Sequence, residues 1–96
     1  MTTDEKDRLA SALTLERDRF TCRIAMPEIC GGQAGAVHHI HPRSIEAVRR
    51  HPLNLLSTCW ACHEWAHVNP TEMLKMVRDV LLSADEWEEL ERRKET

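Results

Sequence analysis

The chain has 96 residues, a formal net charge of −3 and 42% hydrophobic residues. This length predicts a single domain with a marginal hydrophobic core, so a bound metal would add stability that packing alone does not supply. No segment approaches the roughly 18 apolar residues of a membrane span, and the residues after Met1 are polar or charged. These features argue against a membrane protein and against a secreted one, and we expect a cytoplasmic location.

Charge is distributed unevenly along the chain. The net negative charge alone argues against a nucleic-acid partner. Between residues 17 and 51, however, six arginines stand against three acidic residues. A local cationic face can hold phosphates, but six arginines are as typical of an ordinary solvated surface, so charge alone leaves both interpretations open. The six are Arg17, Arg19, Arg23, Arg43, Arg49 and Arg50.

The first predicted element is a helix over residues 4–18, with Thr2 or Thr3 as its N-cap. Apolar residues recur on one stripe of this segment, which predicts that it packs against the rest of the protein as an N-terminal arm, residues 1–19. The stripe consists of Leu9, Ala12 and Leu13.

A core over residues 20–69 follows, beginning with a loop that is rich in glycine. Residues 36–41 are short and β-branched enough for a strand, which Pro42 would stop. Residues 45–52 contain no glycine and could form a helical turn, and a helix is expected after Cys59.

Two helices are predicted in the C-terminal part, residues 70–96. Residues 71–82 carry apolar side chains at helical spacing, and Ser83-x-x-Glu86 is a capping box that would begin a last helix ending near Arg93. The three tryptophans, Trp60, Trp65 and Trp87, are expected to pack into the small core.

The four cysteines, Cys22, Cys30, Cys59 and Cys62, are candidate ligands of a structural zinc ion. Cys59 and Cys62 have C-x2-C spacing, and the second pair lies about thirty residues upstream, a pattern suited to tetrahedral zinc. Two disulfides in a secreted chain would use the same four cysteines. In a reducing cytosol metal binding is favoured.

All six histidines fall between residues 38 and 67. His63 and His67 are four residues apart, so they lie on one helix face and can address one ion, although such pairs also occur by chance on surfaces. His38 and His39 are adjacent at a strand end, where their side chains diverge. One could bind a metal while the other acts as a general base, since the ordinary histidine pKa is close to neutrality; the alternative is two polar residues near a turn.

Three segments together resemble an HNH endonuclease of the ββα-metal group, in its zinc-stapled phage and bacterial form. They are Val37-His38-His39-Ile40-His41-Pro42-Arg43-Ser44, then Asn54-Leu55-Leu56, then Cys59-x2-Cys62-His63-x3-His67. The separations are similar to those in nuclease colicins: fifteen residues from His39 to Asn54, nine to His63 and four to His67. The resemblance covers roughly residues 20–70.

By position, the resemblance implies a role for each motif residue. His38 and His63 would be ligands of a catalytic metal, and His67 a further ligand or phosphate contact. His39 would be the general base, and Asn54 would fix the loop that aims it. The four cysteines would hold structural zinc, although the interval from Cys22 to Cys30 is wider than the common knuckle. The implied fold class is α+β, a small ββα-metal (treble-clef-like) core flanked by N- and C-terminal helices.

The implied activity is hydrolysis of DNA phosphodiester bonds, leaving 5′-phosphate and 3′-hydroxyl ends, in a bacterial or phage-infected cell. Imidazole ligands predict a preference for Mn²⁺, Ni²⁺, Co²⁺ or Zn²⁺ over Mg²⁺. The partner would be double-stranded DNA, with RNA a further possibility and, for a viral gene, a terminase beside it in DNA packaging. Arg43 is a candidate phosphate contact and Arg49 and Arg50 weaker ones. A catalytically inactive, zinc-stapled module that binds DNA or protein is the alternative function.

Overall fold

The computed structural model describes residues 1–95, which form four α-helices and one two-stranded sheet. The order is α1 (Thr3–Arg17), β1 (Ala36–His39), β2 (Leu55–Thr58), α2 (Trp60–Val68), α3 (Pro70–Met76) and α4 (Ala84–Lys94). The expected small α+β architecture is therefore confirmed. In this part of the chain we find no helix with the length and apolar character needed to cross a membrane.

The sheet is an antiparallel pair in which His38 lies opposite Leu56 and His39 opposite Leu55. Burial alternates along β1, so His38 is buried on the face of the main core and half-buried His39 lies on the face that carries α1. The strand ends two residues earlier than predicted. The amide N–H of Ile40 bonds to the main-chain carbonyl of Asn54 at 2.9 Å, and the next N–H turns to the Asn54 side chain.

Helix α1 begins with the predicted cap, since the Thr2 hydroxyl accepts from the Glu5 N–H and the Glu5 carboxylate accepts from the Thr2 N–H. The predicted apolar stripe is wrong, because Leu9 and Leu13 are 47% and 57% exposed. The helix packs instead through Thr14, whose main-chain carbonyl accepts from the Ser57 hydroxyl at 3.1 Å.

Two charged side chains of α1, Asp7 and Arg17, hold the helix in place. Arg17 donates to the carbonyls of Pro52 and Leu55 at 2.8 and 2.7 Å. Asp7 pairs with Arg49 and Arg50 at 2.6 and 2.8 Å. The helix therefore docks mainly by polar contacts, which the apolar pattern does not predict.

The loop between α1 and β1 folds back on itself as a short ribbon. Thr21 and Gln33 form an isolated antiparallel bridge, and the Cys22 N–H donates to the Gly32 carbonyl at 2.8 Å. Within the loop Ala25 and Glu28 adopt positive φ angles of 50° and 72°. The backbone turns sharply at these two residues, so the long loop between Cys22 and Cys30 is compact.

The C-terminal helices close the core around Leu56, Val48, Val77 and Leu90, all fully buried. Ser83 caps α4 with Glu86 as predicted, and α4 ends at Lys94. A π-helical turn, Val77–Leu81, continues α3 and covers the rest of the predicted 71–82 segment. Residues 45–52 contain the expected helical turn, a 3₁₀ turn over Glu46–Val48.

Candidate metal centres and the groove beside them

The four cysteines converge on one point. Their sulfur atoms all lie within 4.8 Å of one another, and none forms a disulfide. The Cys30 and Cys59 sulfurs are 4.0 Å apart. A tetrahedral zinc with bonds of about 2.3 Å places its sulfur ligands about 3.8 Å apart, so the cluster has dimensions that suit a metal ion. One shared site fits this arrangement better than two separate disulfide pairs.

Main-chain amides surround the cysteine cluster and favour thiolates. The Gly31 and Cys62 N–H groups donate to the Cys59 sulfur at 3.4 Å, and the Gly32 N–H donates to the Cys30 sulfur at 3.3 Å. Burial opposes ionisation of Cys59, but these N–H donors outweigh it and lower its pKa to about 6. Burial raises the pKa of Cys62 to about 12. Metal binding would therefore release a proton from Cys62.

A second cluster is formed by His38, His63 and His67. One ring nitrogen from each lies within 4.8 Å of the other two. The Nε2 atoms of His63 and His67 are 3.3 Å apart. Two imidazoles on one tetrahedral ion, with bonds of about 2.0–2.1 Å, are separated by about 3.3–3.4 Å, which matches that distance. Strand β1 and helix α2 therefore bring together three imidazole ligands at metal-binding spacing.

His38 is the most deeply placed member, with 7% exposure. Its Nδ1 atom is buried and has no hydrogen-bond partner among the described residues. Burial, with the nearby His63 and His67 rings, lowers the pKa of His38 to about 4. Burial also lowers the pKa of His63. Both imidazoles are therefore neutral at pH 7, which is the form that binds metal.

His39 lies outside this cluster, on the other face of β1 from His38. Burial, followed by the positive charge of Arg43, lowers its pKa, while the Asp7 carboxylate opposes the shift. A neutral imidazole at pH 7 can accept a proton, as a general base must.

Asn54 is completely buried, and its carboxamide bonds to the main chain of His41. Its Oδ1 accepts from the His41 N–H at 2.7 Å, and its Nδ2 donates to the His41 carbonyl at 3.1 Å. The side chain therefore holds the backbone directly after β1.

An open groove of about 700 Å³ runs past both His38 and His39. Its polar lining includes His63, His67 and Arg43, and part of its apolar lining belongs to α3. The apolar lining includes Pro70, Met73, Leu74 and Val77. The volume is typical of sites that hold a small molecule or one unit of a polymer.

Of the six arginines in the basic segment, four are used within the fold. Arg49 and Arg50 pair with Asp7 and Glu46. Arg17 and Arg23 donate to main-chain carbonyls. Exposed Arg43, in contrast, forms no ion pair with a carboxylate of residues 1–95 and lines the groove.

Sequence reasoning missed two features of this region. His41 is buried and its Nε2 lies 2.7 Å from the Glu91 carboxylate of α4, a contact that no sequence spacing signals. Trp60 was expected in the core, but this is wrong because its side chain is 70% exposed. Trp65 and Trp87 are half-buried against the core, as expected.

Comparisons of the chain with protein-family models, with curated proteins and with solved structures found no match. The site must therefore be interpreted from its own geometry and chemistry.

Proposed function

We propose that this protein is a metal-dependent HNH endonuclease, with a ββα-metal, treble-clef-like core that structural zinc stabilises. The observation that carries the proposal is the convergence of His38, His63 and His67 to within 4.8 Å, with His39 on the same groove. A module that only binds DNA or protein needs a structural metal but has no need for a second, open imidazole cluster beside a neutral histidine.

The histidine cluster suits a divalent ion that accepts nitrogen ligands. His38, His63 and His67 would hold it, and it would supply positive charge to a phosphate oxygen and to the leaving 3′ oxygen. The buried and unpartnered Nδ1 of His38 and the 3.3 Å separation of the other two rings support this assignment. Imidazole ligands favour Mn²⁺, Co²⁺, Ni²⁺ or Zn²⁺ over Mg²⁺.

His39 is the proposed general base. Its imidazole takes the proton of the attacking water, whose oxygen forms a bond to phosphorus as the bond from phosphorus to the 3′ oxygen breaks. The 3′ oxygen is then protonated from solvent, and the products carry 5′-phosphate and 3′-hydroxyl ends. Arg43, with no carboxylate partner among the described residues, contacts a phosphate on the same strand.

The test is cleavage of supercoiled plasmid by wild-type protein and His39→Ala, each with Mn²⁺, Ni²⁺, Co²⁺, Zn²⁺, Mg²⁺ or EDTA. We expect metal-dependent nicking that the substitution removes while zinc content and circular dichroism stay unchanged. His51→Ala is the matched control, because His51 lies in the same segment and only caps a 3₁₀ turn through the Leu53 N–H.

Three results would contradict the proposal. Equal nicking by wild type and His39→Ala would indicate a contaminating nuclease or a different base. No cleavage with any metal, by protein that still binds DNA or another protein, would favour the inactive binding module. Higher activity in Mg²⁺ than in Mn²⁺ and Ni²⁺ would contradict the three-imidazole site.

A further inference from the structure

Trp60 is placed unusually for a tryptophan in so small a protein. It is 70% exposed, whereas Trp65 and Trp87 pack against the core. Burying an indole is among the largest apolar gains available to a chain of this length. An indole left in water beside a candidate active site therefore points to an external contact.

The indole is also held close to the histidine cluster. Its ring lies edge to face with His63, with centroids 6.1 Å apart and planes at 88°. It also approaches the backbone at Gly35, where an added Cβ would come within 3.3 Å of the indole Nε1. Gly35 therefore permits this close approach, and the ring is positioned rather than free in solvent.

Resting on the proposed nuclease function, we propose that Trp60 stacks on an unpaired nucleobase next to the scissile phosphate. The 6.1 Å between the Trp60 and His63 rings is less than two base steps of about 3.4 Å, so a strand whose phosphate is bound at the histidines brings a neighbouring base to the indole. Stacking on an aromatic ring tolerates any base, because every base has a π face.

Stacking on Trp60 would determine which form of DNA the protein prefers. Inside an intact duplex both faces of each base are already stacked, so the indole can be satisfied only where bases are unpaired or have been unstacked. We therefore expect the chain to favour single-stranded DNA or duplexes with bubbles over fully paired duplexes.

The surroundings of Trp60 fit a base better than a protein partner. Glu64, one turn further along α2, is exposed and separates Trp60 from exposed Val68, so these residues make no continuous apolar patch. Protein interfaces are built around such patches, whereas base stacking needs a single ring.

Binding can be measured with protein that carries His39→Ala, so that the DNA stays intact. Two labelled duplexes of one sequence, one fully paired and one with a central bubble, are titrated against this protein and against the same protein with Trp60→Ala or Trp60→Phe. We expect Trp60→Ala to weaken bubble binding by about 5- to 150-fold and to abolish the preference for the bubble, and Trp60→Phe to restore most of both. Val68→Ala, an equally exposed apolar residue on α2, should change neither.

The outcomes separate this inference from the proposed function. If wild type nicks plasmid and Trp60→Ala keeps full preference for the bubble, the inference is wrong and the nuclease assignment stands. If wild type cleaves no DNA with any metal, the nuclease assignment is wrong, and the inference that rests on it is also overturned. If Trp60→Ala instead converts a dimer into a monomer in sedimentation, Trp60 contacts a second copy of the chain and the inference is overturned.

Discussion

The carboxamide of Asn54 makes both of its hydrogen bonds to the main chain of His41, accepting at 2.7 Å and donating at 3.1 Å. This pair of contacts closes the end of β1 onto the residues before β2. Because His39 is two residues before His41, we infer that Asn54 acts through this backbone as a positioning residue for the proposed base.

We predict that Asn54→Ala lowers the free energy of unfolding by about 2–4 kcal/mol, because two buried hydrogen bonds are lost and the His41 N–H is left unpaired. Nicking should fall by a larger factor than the loss of folded protein explains. Chemical denaturation and plasmid nicking, at a temperature where the variant is folded, measure the two effects. Asn69→Ala, which loses one bond to the Trp65 carbonyl, is the control and should leave nicking intact. Unchanged activity per folded molecule in Asn54→Ala would contradict the positioning role.

The cysteine cluster gives a second prediction. Cys62→Ser should remove the tightly bound ion and unfold much of the chain, since Cys62 is completely buried and also lies in the first turn of α2. His63→Ala should keep that ion and the fold but lose nicking. Elemental analysis and circular dichroism of the two purified variants distinguish these results. A Cys62→Ser protein that keeps one zinc and native helix content would rule out the four-cysteine site.

Arg43 supplies a third prediction. Replacing it with Gln should weaken DNA binding and reduce the slope of log affinity against log salt by about one, because one phosphate contact is lost. Titrations at several salt concentrations with protein carrying His39→Ala measure the slope. The control is Arg78→Gln, since Arg78 is exposed but already pairs with Asp79. Equal slopes for wild type and Arg43→Gln would place the phosphate contact elsewhere.

The environment of His39 predicts how the nicking rate falls at acid pH. Burial and Arg43 lower its pKa below the usual 6.5, so the neutral, proton-accepting form persists to lower pH and is lost only as the pH falls through the lowered value. Nicking rates at saturating Mn²⁺ should therefore have an acid inflection below pH 6.5. Arg43→Gln removes a positive charge that lowers the pKa of His39, so it should move the inflection upward. An inflection above 6.5 in wild type would exclude His39 as the base.

The contact between His41 and Glu91 predicts that pairings of the Glu91 carboxylate help to hold α4 against the rest of the protein. Glu91 also accepts from Lys94 at 2.8 Å, so Glu91→Gln weakens two pairings and should cost about 1 kcal/mol of stability. Glu88→Gln, on an exposed position of the same helix, should have almost no effect. Thermal unfolding of both variants at pH 7 makes the comparison. Equal melting temperatures would show that α4 is held by its apolar contacts, chiefly Leu90.

The sequence predicted elements whose signals are local. Both capping boxes, at Thr2 and Ser83, lie where a hydroxyl residue precedes a glutamate by three positions, and this pattern needs no tertiary partner. The sequence pattern predicts the end of β1 two residues too late, because the N–H groups that follow His39 bond to Asn54, which is thirteen residues from His41 in sequence. Hydrogen bonds between residues so far apart in sequence leave no periodic pattern that could predict them.

For the candidate site, the spacing of His63 and His67 correctly places them on one face of α2. Burial was harder to predict. The apolar residues Leu13 and Trp60 are exposed, while the polar residues Thr14 and Asn54 are buried and satisfied by hydrogen bonds. A hydrophobic pattern identifies residues that gain from burial, but it does not indicate which polar residues find partners inside the fold.

Cys59 caps helix α2, which carries His63 and His67 one turn apart. A nine-residue helix is too short to form alone in water, so its first turn depends on the cysteine cluster. If both proposed metal sites are correct, a newly made chain has no hydrolytic centre until it acquires zinc. Zinc supply would then control DNA cleavage, and a chain made without zinc would leave DNA intact.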